Sequence, residues 1–157
     1  MREIILLHGP NLNLLGEREP AVYGPTTLAE LEARVAARAG GRGARVHAFQ
    51  SNHEGALIDV LHERRRLACG VLVNAGALTH YSYALRDAIA AIALPAVEVH
   101  LSDISKREPW RRVSVIADVC LAQVMGKGPA GYDEALDLLL DELDRRGRAS
   151  SPPSERA

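Results

Sequence analysis

Glu98 and His100 stand two apart in the run Ala96-Val97-Glu98-Val99-His100. In an extended strand such residues share a face, so the carboxylate is placed to orient the imidazole, an arrangement suited to acid–base chemistry. A second set follows the apolar run of residues 3–8: Gly9-Pro10-Asn11-Leu12-Asn13-Leu14-Leu15-Gly16-Glu17-Arg18-Glu19-Pro20, then Tyr23-Gly24. A phenol ionises near pH 10 and is a poor base at neutrality, but a guanidinium a few ångström away favours the phenolate. Arg18 and Tyr23, flanked by Gly16 and Gly24 as hinges, are expected to reach a site together on a lid.

A third set is Asn74-Ala75-Gly76-Ala77 with Thr79-His80, and a fourth is Leu101-Ser102 followed by Arg107 and Arg111. His80 and Asp87 are seven apart and share a face only if a helix starts early enough; surface pairs at this spacing are common. Asn11 and Asn13 suit either ligand contacts or turns, which asparagine forms readily. His8, His47, His53 and His62 are expected to be structural or surface residues.

The composition narrows the classes. With 157 residues, 47% hydrophobic and 25% charged, the chain suits one compact domain and excludes global disorder. A net charge of -1 gives no electrostatic case for nucleic acid or an anionic membrane as main partner. No apolar run approaches the ~20 residues that span a bilayer. The start, Met1 to Leu7, reads as too short and too soon polar for a signal peptide, so a cytoplasmic location is expected. Of 19 basic residues only Lys106 and Lys127 are lysines, which leaves little room for Schiff-base chemistry. Cys69 and Cys120 lie far apart in apolar runs and are expected in the core, not in a zinc site or disulfide.

Residues 3–8, 45–50, 70–74 and 96–100 read as strands, with a fifth within 115–125. Helices are expected from Thr27, which with Glu30 forms a capping box, to Gly40; from Gly55 to Leu67 with Leu57, Val60, Leu61 and Leu67 inward; over 81–92; and from Tyr132 to Arg146. No regular element fits the glycine- and proline-rich stretch from Gly9 to Gly24. Residues 1–147 thus form one catalytic domain, and residues 148–157, with Pro152-Pro153, a disordered tail. Alternating strands and helices mean an open parallel sheet, and a chain this short favours the flavodoxin-like order 2-1-3-4-5. Ligands in such folds bind beyond the carboxyl ends of the strands, where all four sets fall.

Other functions of this architecture fit poorly. GxGxxG after the first strand, GxxxxGK[ST], an acidic residue ending the first strand and HExxH are all missing. A flavin or nucleotide binder would place a phosphate-cradling loop where Asn11, Asn13, Arg18 and Tyr23 stand. A scaffolding oligomer leaves acid, base and anchor at one sheet edge unexplained.

The strings HGPNLNLLGEREPAVYG, QSNHEGALID, VNAGALTHYSYALRDA, VEVHLSDISKREPWR and GKGPAGYDEAL, in order over about residues 4–140, resemble type II 3-dehydroquinate dehydratase. The resemblance implies a flavodoxin-like fold, no cofactor, elimination of water from 3-dehydroquinate through an enolate, and a dodecamer built of four trimers. It implies Tyr23 as base, Arg18 as its activator, His100 as acid, Glu98 as the carboxylate orienting it, and Asn11 as holder of a water near the enolate. Asn74, His80, Asp87, Arg111 and the Leu101-Ser102 backbone would hold the substrate. Asp103, Ser105 and the Arg112-Val113-Ser114-Val115 stretch depart from the family's common residues, which bears on packing and affinity but not on the acid–base set.

Overall fold

The computed structural model describes residues 1–150. Five parallel strands, β1 (Arg2–His8), β2 (Ala44–Gln50), β3 (Gly70–Asn74), β4 (Ala96–His100) and β5 (Ala122–Met125), form one sheet in the order β2-β1-β3-β4-β5. This is the flavodoxin-like arrangement expected. β3 and β4 are buried along their whole length, as inner strands of a parallel sheet covered on both faces are, and in β4 this burial includes Glu98 and His100. The edge strands β2 and β5 remain half exposed.

Alternation along the strands divides the core in two. Ile4, Leu6, Leu72, Val97 and Val99 pack under α2 (Leu28–Gly40) and α5 (Ala130–Ser150). Ile5, Leu7, Val71, Val73 and Ala96 pack under α3 (Glu54–Arg64) and α4 (Tyr83–Ile92). The Thr27 side chain accepts from the Glu30 N–H (3.2 Å) and caps α2 as its pattern predicts. The loops leaving β1 and β3 run back to back. A Cβ on Gly9 would lie 2.2 Å from the Ala75 carbonyl oxygen, so only glycine allows this approach.

Four expectations are corrected. The stretch before Gly24 carries a 3-10 turn at Leu12–Leu14 and a single helical turn, α1 (Pro20–Tyr23). Proline at the first position of α1 supplies a helical φ, and Glu19, with φ +40°, turns the chain into it. α3 ends at Arg64, so Leu67 is 66% exposed instead of inward. α4 starts only at Tyr83, because residues 76–80 form a 3-10 helix, and His80 and Asp87 therefore share no helix face. α5 extends from Ala130 to Ser150, past the expected end; the remainder of the expected tail lies outside the described residues. No helix among the described residues is long and apolar enough to cross a membrane.

Candidate active site

A cleft opens beyond the carboxyl ends of β1, β3 and β4. Arg18, Tyr23, Asn74, His80, His100, Leu101, Ser102 and Arg111 line it together with Arg107. Tyr23 is 9% exposed, its ring packed at the edge of the α2–α5 core. The Arg18 guanidinium carbon lies 4.8 Å from the ring centroid and that of Arg107 lies 5.2 Å from it. Arg107 Nη1 also donates to the Tyr23 hydroxyl oxygen (2.8 Å), and its Nη2 is 3.8 Å from a Glu19 carboxylate oxygen. Two guanidinium groups thus meet one phenol, Arg107 at its oxygen and Arg18 over its ring.

His100 and Glu98 are buried on the α3–α4 side of β4, and the His100 Nε2 nitrogen is hydrogen-bonded to a Glu98 carboxylate oxygen. Ser114 Oγ (2.9 Å to both oxygens) and Gln123 Nε2 (3.1 Å) also donate to that carboxylate. A buried carboxylate is tolerable only with such partners. Here they leave Glu98 behind His100, orienting the imidazole from outside the cleft lining. Asn74 is anchored twice: its Nδ2 donates to the Tyr132 hydroxyl oxygen (2.9 Å), and its Oδ1 accepts from the Gly76 N–H (3.1 Å). Complete burial pushes the Tyr132 phenol well above the usual tyrosine range, so this partner stays neutral.

His80 Nδ1 donates to the Val113 carbonyl oxygen (2.7 Å), which fixes the tautomer and leaves Nε2 as the acceptor. Burial holds His80 below the usual imidazole range; the Val113 carbonyl opposes this, and the His100 and Arg111 charges reinforce it. Arg111 Nε donates to Glu108 Oε2 (2.5 Å). The departure at Val113 costs this arrangement nothing, because its carbonyl makes the contact and its side chain is exposed. Asp103 and Ser105 pair with each other: the Ser105 N–H and Oγ both donate to Asp103 Oδ1 (3.0 and 2.5 Å).

Besides Glu98, two expected residues, Asn11 and Asp87, lie outside the lining. Asn11 sits exposed at a loop tip with φ +69°, its N–H donating to Asn52 Oδ1 (2.9 Å). Asp87 is exposed on α4. Arg107 has no expected role beyond its place after the fourth strand, and Tyr132, Ser114 and Gln123 are not among the expected site residues. No local spacing signals them, since each meets its partner across a separation of 16 to 84 residues. His8, buried on the α2 side with Nε2 3.2 Å from Glu32 Oε1, and His47, His53 and His62 take no part in the cleft. Cys69 and Cys120 are unpaired and half buried, and burial pushes the Cys120 thiol up to about 12. Among the described residues no group of three or more histidine, cysteine or acidic side chains is placed to hold a metal ion.

An open parallel α/β sheet whose carboxyl edge joins an arginine-flanked phenol to a carboxylate-backed imidazole has the parts of a general acid–base enzyme. The chain matches the family Dehydroquinase class II over residues 2–140 and belongs to it. A 3-dehydroquinate dehydratase of Bacillus cereus (strain G9842) is 51% identical over 143 residues, 91% of this chain and 98% of that one. The crystal structure of a type II dehydroquinase from Butyrivibrio crossotus DSM 2876 superposes with a TM-score of 0.86 at 40% identity, covering 88% of this chain and 97% of that one. That of Propionibacterium acnes also gives 0.86, at 35% identity, covering 90% and 97%.

Proposed function

We propose that this protein is a 3-dehydroquinate dehydratase, a hydro-lyase that converts 3-dehydroquinate to 3-dehydroshikimate in the shikimate pathway. The observation that carries the reading is the Tyr23 phenol held by Arg18 and Arg107 in the same cleft as His100 backed by Glu98. Tyr23, as phenolate, takes the proton from the carbon next to the ketone, and the electron pair moves onto the carbonyl oxygen as an enolate. Asn11, through a water, donates toward that oxygen. The enolate then re-forms the ketone, the carbon–oxygen bond of the departing hydroxyl breaks, and His100 supplies the proton that lets it leave as water. Asn74, His80, Arg111 and the Leu101-Ser102 backbone hold the hydroxyls and carboxylate. The reaction calls for neither cofactor nor metal.

Asp87 completes the site from a neighbouring copy. Its exposure beside Tyr83, one helical turn earlier and 67% exposed, supports a contact across this face of α4. The assembly is a dodecamer of four trimers, the polypeptide a single catalytic domain, and its location cytoplasmic. The deciding experiment adds 3-dehydroquinate to purified protein and follows ultraviolet absorbance of the conjugated enone. Growth of that absorbance supports the reading, and its absence rejects it.

A further inference from the structure

Trp110 is the chain's single tryptophan and is 52% exposed at the rim of the cleft, packed in neither core. An indole this open lacks much of the burial that ordinarily retains one. It makes two directed contacts instead. The Arg111 guanidinium carbon lies over it, 4.0 Å from the ring centroid. The His80 ring stands perpendicular to it with centroids 5.3 Å apart. Both partners line the cleft, whereas Trp110 does not.

The other anchors of these partners are limited. Arg111 reaches an exposed carboxylate, Glu108, through Nε, and His80 reaches the Val113 carbonyl through Nδ1. One hydrogen bond fixes a distance but leaves the plane of a guanidinium or imidazole free to rock. A stacked face and a perpendicular ring fix both planes at once. Pro109, at the first position of its 3-10 turn, supports the backbone that presents the indole.

We propose that Trp110 is a positioning residue for substrate binding, holding Arg111 and His80 in the orientations that accept a polyhydroxylated carboxylate. The inference rests on the reading of those two side chains as substrate-holding groups. Trp110 has no contact with Tyr23 or His100 among its ring interactions, so its loss acts on affinity and spares proton transfer.

The test is steady-state kinetics of the full-length protein with 3-dehydroquinate, with folding checked by circular dichroism. Trp110→Ala and Trp110→Leu should raise KM about tenfold with kcat within about threefold, and Trp110→Phe, which keeps an aromatic face, should restore most of the loss. An unchanged KM in Trp110→Ala, a fall in kcat alone, or equal defects in Trp110→Phe and Trp110→Leu would overturn the proposal. In the unaltered protein, emission from this lone indole, excited at its red edge, should change saturably as 3-dehydroshikimate is added; constant emission would also overturn it. Absence of turnover in the unaltered protein rejects the functional reading and this inference together, whereas turnover with no dependence on Trp110 rejects this inference alone.

Discussion

Tyr23 concentrates the chemistry. Its hydroxyl faces the cleft while its ring is packed and flanked by Arg18 and Arg107, so the geometry serves charge on one oxygen atom. Tyr23→Phe keeps the packed ring and removes only that oxygen. It should preserve fold and assembly yet lower kcat by at least ~100-fold, the scale of a lost general base; near-normal turnover in stopped assays would take Tyr23 out of the mechanism. Arg107→Ala removes the guanidinium that donates to the phenol at 2.8 Å. A fall of about 100-fold in kcat is expected, comparable to losing one donor to a developing anion. Should Arg107→Ala instead raise only KM, Arg107 would be a binding group and not a partner of the base.

Among the elements, α2 and the turn that follows it are joined to α5 by a ladder at four-residue spacing. Arg34 reaches Asp133 (2.7 Å), Arg38 reaches Asp137 (2.6 Å), and Arg42 reaches Asp141 (2.9 Å) and Asp144 (3.0 Å). Arg2 of β1 also meets Asp144 (2.5 Å) and ties the sheet to the same rail. Hydrogen bonding to Arg38 holds the Asp137 carboxyl below the usual carboxylate range, and hydrogen bonding to Arg2 does the same for Asp144. The folded chain therefore binds fewer protons here than the unfolded one. The ladder's contribution is complete above the ordinary carboxylate pKa near 4 and is lost as pH falls through the depressed values. Thermal melts from pH 7 to pH 3 should show that decline, with a shallower slope in Asp137→Asn. Arg42→Ala, which removes the cation with most partners, should cost about 1 kcal/mol, and less in 1 M salt. Identical melts for Arg42→Ala and the unaltered chain would show that the ladder is decorative.

For the whole molecule, two observations bear on mechanism and assembly. Lys106 is an open side chain 3.9 Å from Asp103, and Lys127 is 2.5 Å from Glu134; neither lines the cleft. Borohydride added with substrate should leave activity intact, and the double variant Lys106→Arg, Lys127→Arg should remain active, as an enolate route requires. Substrate-dependent mass added at either lysine would replace the Tyr23 mechanism with an imine. Light scattering should report a dodecamer at micromolar concentration. A monomer with full turnover would remove Asp87 from the site, since that residue does not reach the cleft of its own chain.

Local pattern carried the fold a long way. The run at 70–74, apolar until its last residue, reads as a strand, and the two-residue spacing of Glu98 and His100 puts both on one face of β4, as the structure has them. The Thr27–Glu30 pattern marked the start of α2 for the same reason: both signals act within one turn or one pleat. Local pattern misjudged Leu67, because α3 stops one turn early, and it left α1 unseen, because four residues are too few to show a period. The site depended further on closure of the fold. Arg107 meets Tyr23, Tyr132 meets Asn74, and Ser114 and Gln123 meet Glu98 only once the crossover helices bring the strand ends to one edge. The sequence by itself determined which faces are apolar and which residues share a strand or a turn, since those follow from backbone periodicity. Which distant side chains share a hydrogen bond was decided by tertiary packing alone, because a contact across many residues has no period to announce it.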